Sequence, residues 1–271
     1  MKANNATDFV TPFEVMRTQI HRPPLEEAHQ CEQHGEFVAK CHIGKMWSKC
    51  PVCAEEKERQ EQERKEQERA QARARQWQER LGHSGIPLRF HDRTLSGYEA
   101  QSADQQAALD FAKEYALDFE QVQKTGRGAI FVGRPGTGKT HLAVGIGLYA
   151  MRKFHARVLF VTVQRAIRSV KDTWAKGAQQ SESEAIAALV EPDLLILDEV
   201  GVQFGSEFER NTLFDVLNER YELRKPTIFL SNLASDELAD FLGERVMDRL
   251  REDGGRVIPF GWDSYRKKAA E

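Results

Sequence analysis

Residues 133 to 142 read GRPGTGKTHL, and no other stretch restricts the possible folds of this chain as much. Gly133 to Thr140 matches G-x-x-x-x-G-K-[ST] in full. The match follows the apolar run GAIFVG and opens a helical pattern, the context in which this motif carries meaning. Gly133, Gly136 and Gly138 let backbone N–H groups turn inward with no Cβ in the way. With the helix N-terminus behind them they form an anion cradle. A nucleoside triphosphate is the expected ligand. Lys139 would reach its β- and γ-phosphates, and the Thr140 hydroxyl would hold Mg²⁺. Pro135, Thr137 and His141 complete the expected nucleotide-binding stretch.

The rest of the chain from about residue 86 agrees with that loop. GAIFVG (128–133), RVLFVTV (157–163), DLLILD (193–198), PTIFLSN (226–232) and GRVIPF (255–260) are short apolar runs. Near-continuous hydrophobicity marks strands buried on both faces. Longer amphipathic stretches lie between them, such as SEFERNTLFDVLNERYELR, so the expected fold class is α/β, a parallel sheet flanked by helices. Asp198 and Glu199 fall at the carboxyl end of one strand, where paired acids are costly without a task. Asp198 is expected to bind Mg²⁺ and Glu199 to polarise an attacking water. Asn232, at the end of another strand, would orient that water; as a lone feature it could equally be a turn residue.

Composition bounds the alternatives. The chain has 271 residues, 40% hydrophobic and 30% charged, with a formal net charge of -3. There is no global basic field, so contact with nucleic acid must be local. No apolar run approaches the roughly 20 residues that span a bilayer, and the N-terminus lacks the apolar core of a signal peptide. A soluble, cytoplasmic protein without a membrane partner is expected. Three zones follow: residues 1–53, residues 54–85 and residues 86–271. The middle zone is almost wholly Glu, Lys, Arg, Gln and Ala, strong helix formers without an apolar heptad, and reads as a solvated helical linker.

All four cysteines lie between Cys31 and Cys53. That clustering in a cytosolic chain points to metal rather than disulfides. Cys31-Glu-Gln-His34-Gly and Cys50-Pro-Val-Cys53 are two knuckle-like pairs, and together they suit a tetrahedral Zn²⁺. The preferred set is Cys31, His34, Cys50 and Cys53; the competing set replaces His34 by Cys41. With no ligand position open to water and no accompanying general base, the site reads as structural.

The order of phosphate loop, acid pair and strand-end Asn resembles an AAA+ ATPase. More narrowly, GKTHLAVGIG, LLILDEVGVQ, LGERVMDRLRE and WDSYR resemble the DnaC-type helicase loaders, with the IstB transposition helpers as relatives; the likeness covers roughly residues 86 to 268. It implies an arginine finger at Arg245, reaching a neighbouring subunit's ATP, and a γ-phosphate sensor at Arg266. Arg245 and Arg249 stand at i,i+4 and could instead decorate a charged helix. It also implies single-stranded DNA contacts at Lys171, Trp174, Ser206 and Phe208, although Trp174 and Phe208 could equally be core residues. Only eleven residues follow Phe260, so the helical lid domain of typical AAA+ motors is not expected.

The function implied is an ATP-dependent loader that binds a DnaB-type replicative helicase and places it on single-stranded DNA. It would self-assemble into a spiral, hexameric with the helicase, and hydrolysis would release it. The N-terminal module would be the helicase-interacting end. The alternative is an IstB-like transposition helper acting on duplex DNA with a transposase. A further alternative, an adaptor that binds nucleotide without hydrolysis, sits poorly with intact Lys139, Asp198 and Glu199.

Overall fold

The computed structural model describes residues 24–41, 46–201 and 207–265. Of the residues singled out above, Ser206 and Arg266 lie outside the described residues. The chain divides into two compact units, the first ending at Arg75 and the second starting at Gln76. The division falls within one continuous helix, α1 (Pro51–His83), rather than at either end of it. Pro51 opens that helix, where a missing N–H costs nothing. Its exposed faces carry i,i+4 ion pairs such as Lys65–Glu61, 3.4 Å, and Arg64–Glu68, 3.8 Å.

In the first unit, β1 (Leu25–Cys31) and β2 (Gly35–Cys41) form an antiparallel hairpin, with Leu25 opposite Cys41 and Cys31 opposite Gly35. Cys41 also bridges to Trp47. The hairpin delivers Cys31 to its tip and His34 to the turn that follows.

The second unit is a five-stranded parallel sheet. Its strands are β3 (Ala129–Gly133), β4 (Val158–Thr162), β5 (Leu194–Val200), β6 (Thr227–Ser231) and β7 (Arg256–Phe260), in the spatial order β4-β5-β6-β3-β7. Each of the five apolar runs in the sequence has become one of these strands. Strand alternation sorts their side chains. Ala129, Phe131, Leu194, Ile196, Ile228 and Leu230 face one apolar layer. That layer includes α2 (Ala103–Leu117), α3 (Phe119–Thr125) and α4 (Lys139–Lys153). Ile130, Val132, Leu195, Leu197 and Phe229 face the other layer. There α5 (Val163–Asp172), α6 (Glu182–Val190), α7 (Glu207–Glu222), α8 (Ser235–Leu242) and α9 (Glu244–Arg251) pack. Both faces are covered, which is why the strands read as unbroken hydrophobic runs.

Placing β3 between β6 and β7 puts its carboxyl end beside that of β6, with β5 one strand further. Open α/β sheets bind ligands at such a crossover. The opposite end of the sheet is held by a buried charge. Arg220 is 1% exposed and donates to the carbonyls of Leu189 (3.2 Å), Val190 (2.7 Å), Pro192 (3.0 Å) and Pro226 (2.7 Å) and to Thr227 Oγ1 (2.9 Å). It thereby closes the C-terminus of α6, where a cation suits the helix dipole, and ties together the entries to β5 and β6. Burial pulls its pKa down to about 9, so it stays charged at neutral pH.

Candidate functional site

The loop from Gly133 to Thr140 joins β3 to α4. Gly133 takes φ +138°, and a Cβ there would sit 2.3 Å from Phe260 O on the adjoining strand. Gly138 takes φ +100°, and a Cβ there would sit 2.7 Å from Tyr98 Cε2. Only glycine fits either position. Helix α4 starts with no side-chain cap. Its first N–H groups are therefore left for an anion. Beside them, the Thr137 hydroxyl donates to Arg134 O at 2.8 Å, Pro135 is exposed at the crest, and His141 Nε2 donates to Thr94 O at 2.9 Å.

Lys139 points back across this nest. Its ammonium donates to Gly133 O (2.5 Å), Arg134 O (2.9 Å) and Asn232 Oδ1 (3.0 Å). Burial pushes its pKa down to about 8, against the opposing pull of Asp198. Thr140 Oγ1 donates to Asp198 Oδ2 across 3.4 Å, and the Glu199 N–H donates to Asp198 Oδ1 at 2.8 Å. Burial raises the Asp198 pKa, chiefly by desolvation. A dication between the Thr140 hydroxyl and this carboxylate would reverse that direction. Glu199 is exposed and left-handed, at φ +60°, where the β5–β6 register slips between Leu197 and Val200. The adjacent acids point in different directions, Asp198 towards Thr140 and Glu199 outward, as alternation along a strand favours. The structure thus brings together Lys139, Thr140, Asp198 and Asn232, with Glu199 next to them in the chain. Their chemistry fits a Mg²⁺-bound triphosphate: an amide nest, a cation, a hydroxyl facing a carboxylate, and an adjacent free carboxylate.

The two arginines of α9 separate. Arg249 donates to Asn218 Oδ1 and stacks on Tyr221, 4.5 Å from the ring centre. Arg245 is exposed, its guanidinium 5.9 Å from the Phe214 ring centre. On another surface Lys171, Trp174 and Phe208 meet. Trp174 is 57% exposed and packs edge-on to Phe208 at 4.5 Å, with Lys171 5.7 Å from the Phe208 ring. Trp174 is therefore not a core residue, while Phe208 packs against the second apolar layer. Lys171 is also paired with Glu209 at 2.8 Å.

In the first unit the ligand atoms of Cys31, His34, Cys50 and Cys53 all lie within 4.8 Å of one another. Cys31 Sγ is 3.5 Å from Cys53 Sγ, and His34 Nδ1 is 3.3 to 3.8 Å from the three sulfurs. A tetrahedron with Zn–S of about 2.3 Å and Zn–N of about 2.0 Å has edges of roughly 3.5 to 3.8 Å. The donor set fits zinc. The Gln33 N–H, first among several hydrogen bonds, holds the Cys31 thiol down to about 6. His34 Nε2 faces Glu56 Oε1 at 3.6 Å, the carboxylate behind a histidine that commonly orients a metal-binding ring. Cys41 is buried at the end of β2, outside this group.

Fold and loop together define the class: an AAA+ P-loop protein of the ATP-binding kind. Comparison with known proteins narrows it. Residues 58 to 271 match the model of the IstB-like ATP binding proteins, and the chain belongs to that family. It is 34% identical over 198 residues to the replicative helicase loader DnaC of Escherichia coli (strain K12), which spans 72% of this chain and 78% of that one. The replicative helicase loader DnaC of Buchnera aphidicola subsp. Baizongia pistaciae (strain Bp) is 35% identical over 196 residues, with the same shares covered. A crystal structure of the DnaC helicase loader matches with a TM-score of 0.57 at 26% identity, covering 64% of this chain and 99% of that one.

Proposed function

We propose that the protein is an ATP-dependent helicase loader. It binds a DnaB-type replicative helicase, places it on single-stranded DNA, and lets go on hydrolysis. The observation that carries this reading is the convergence of Lys139, Thr140, Asp198 and Asn232 at the strand ends of a chain 34% identical to a loader named DnaC. In this reading Lys139 and the loop amides bind the triphosphate, and Thr140 and Asp198 hold Mg²⁺, which would neutralise phosphate charge. Glu199 polarises the attacking water, Asn232 orients it, and Arg245 completes the site of a neighbouring copy. Arg266 is the γ-phosphate sensor that the family resemblance implies. Lys171, Trp174 and Phe208 supply a surface on which a base stacks while a cation follows the backbone; Ser206, outside the described residues, is a DNA contact only as the family resemblance implies.

The loading assay tests this as a whole. The protein is expected to co-purify with its organism's replicative helicase in the presence of ATP and to transfer it to single-stranded DNA. Trp174→Ala should weaken the single-strand contact by about 1–3 kcal/mol, the usual worth of one stacked base. Preference for duplex DNA with no helicase contact would overturn the loader reading in favour of a transposition helper.

The N-terminal unit is proposed to be a structural zinc module and the helicase-facing end. Protein purified without chelators should contain about one zinc per chain, and a strong chelator should unfold this unit. Metal analysis finding no zinc in folded protein would refute the module.

A further inference from the structure

The segment after β7 bonds directly to the phosphate loop. The Trp262 indole Nε1–H donates to Thr137 O at 2.8 Å, and the Tyr265 backbone N–H donates to Gly136 O at 3.0 Å. Each of these carbonyls belongs to a planar trans peptide, in which C=O and the following N–H point in opposite directions. The Gly136 carbonyl shares its peptide with the Thr137 N–H, and the Thr137 carbonyl with the Gly138 N–H. Holding the two oxygens outward therefore holds two successive N–H groups inward, which is what an anion nest requires.

The bracing segment is itself anchored. The Trp262 ring lies 4.8 Å from Phe260, which is fully buried and 5.2 Å from Phe131 in β3. The Tyr265 hydroxyl donates to Glu99 O at 2.9 Å, and its ring meets Tyr98 edge-on at 6.0 Å. Tyr98 in turn packs against Gly138. The loop is gripped from both sides by chain that is remote from it in sequence.

We propose that Trp262 and Tyr265 are positioning residues for the nucleotide: they set the direction of the Thr137 and Gly138 amides without touching the ligand. This rests on the nucleotide reading of the loop. The test is titration of the full chain with ADP and with a slowly hydrolysed ATP analogue. Trp262→Phe keeps an aromatic ring against Phe260 and removes the N–H together with the five-membered part of the indole. It is expected to raise both dissociation constants about five- to tenfold, the scale of one hydrogen bond. Turnover at saturating ATP should stay near wild type, because binding is lost equally in ground and transition states. Trp262→Leu should match it, since the donor and not the ring sets the effect. If Trp262→Phe binds like wild type, or only Trp262→Leu is weak, the positioning role is wrong while the nucleotide site stands. If wild-type protein itself binds no nucleotide, both readings fall.

Discussion

Arg245→Ala is expected to lower ATP turnover by about 10³-fold or more, the range measured for arginine fingers, while leaving nucleotide affinity near wild type. The structure supplies the reason for choosing this residue over its neighbour. Arg249 is committed to Asn218 and Tyr221 of its own chain, whereas Arg245 is exposed with its guanidinium 5.9 Å from the Phe214 ring. A finger that acts in trans leaves two signatures. Wild-type turnover per chain should rise with protein concentration, because the site is completed only on assembly. Mixing inactive Arg245→Ala protein with inactive Lys139→Ala protein should also restore turnover, since the second chain carries an intact finger to the first chain's nucleotide. Equal turnover by Arg245→Ala and wild type, or no recovery on mixing, would remove Arg245 from the catalytic site.

Lys139→Ala is the other large effect. Lys139 is 6% exposed, and burial has already lowered its pKa to about 8. It is held by two carbonyls and an amide oxygen, with no direct ion pair among the described residues. A triphosphate would give that desolvated charge its natural partner. Hydrogen bonds to charged groups are worth about 1.5–3 kcal/mol each. Two of them lost corresponds to roughly 10²- to 10⁴-fold in affinity. The variant should fold, because the ammonium it removes bonds two carbonyls and an amide oxygen and acts on Asp198 only at a distance, without a direct ion pair.

Much of this was legible in the residues. The five strands were, because a parallel strand covered on both faces leaves an unbroken apolar run. The loop and acid pair were, because the chemistry of phosphate binding restricts both residue type and spacing. The hairpin LEEAHQC and GEFVAKC was not: it is small and largely solvated, and its role is to present ligands rather than to fill a core. Arg220 reads locally as one more charge on an amphipathic helix, since nothing local tells a surface arginine from one that closes another helix with three of its bonds and ties down the entry to β6 with two more. The left-handed turn at Glu199 follows from a register slip against β6, a partner more than 25 residues away in sequence. In WDSYR the family resemblance implies a role only for Arg266, whereas Trp262 and Tyr265 make the contacts with the loop. The exposure of Trp174 could not be read from spacing either, because an aromatic on an amphipathic helix points inward or outward according to what packs above it.

The most direct test of the account is a calorimetric titration of the wild-type and Lys139→Ala proteins with Mg·ATP, with the loading assay run on the same samples. The account predicts saturable binding and helicase delivery by wild type, and loss of both in the variant. Lys139→Ala protein that still holds ATP at wild-type affinity and delivers the helicase would contradict it.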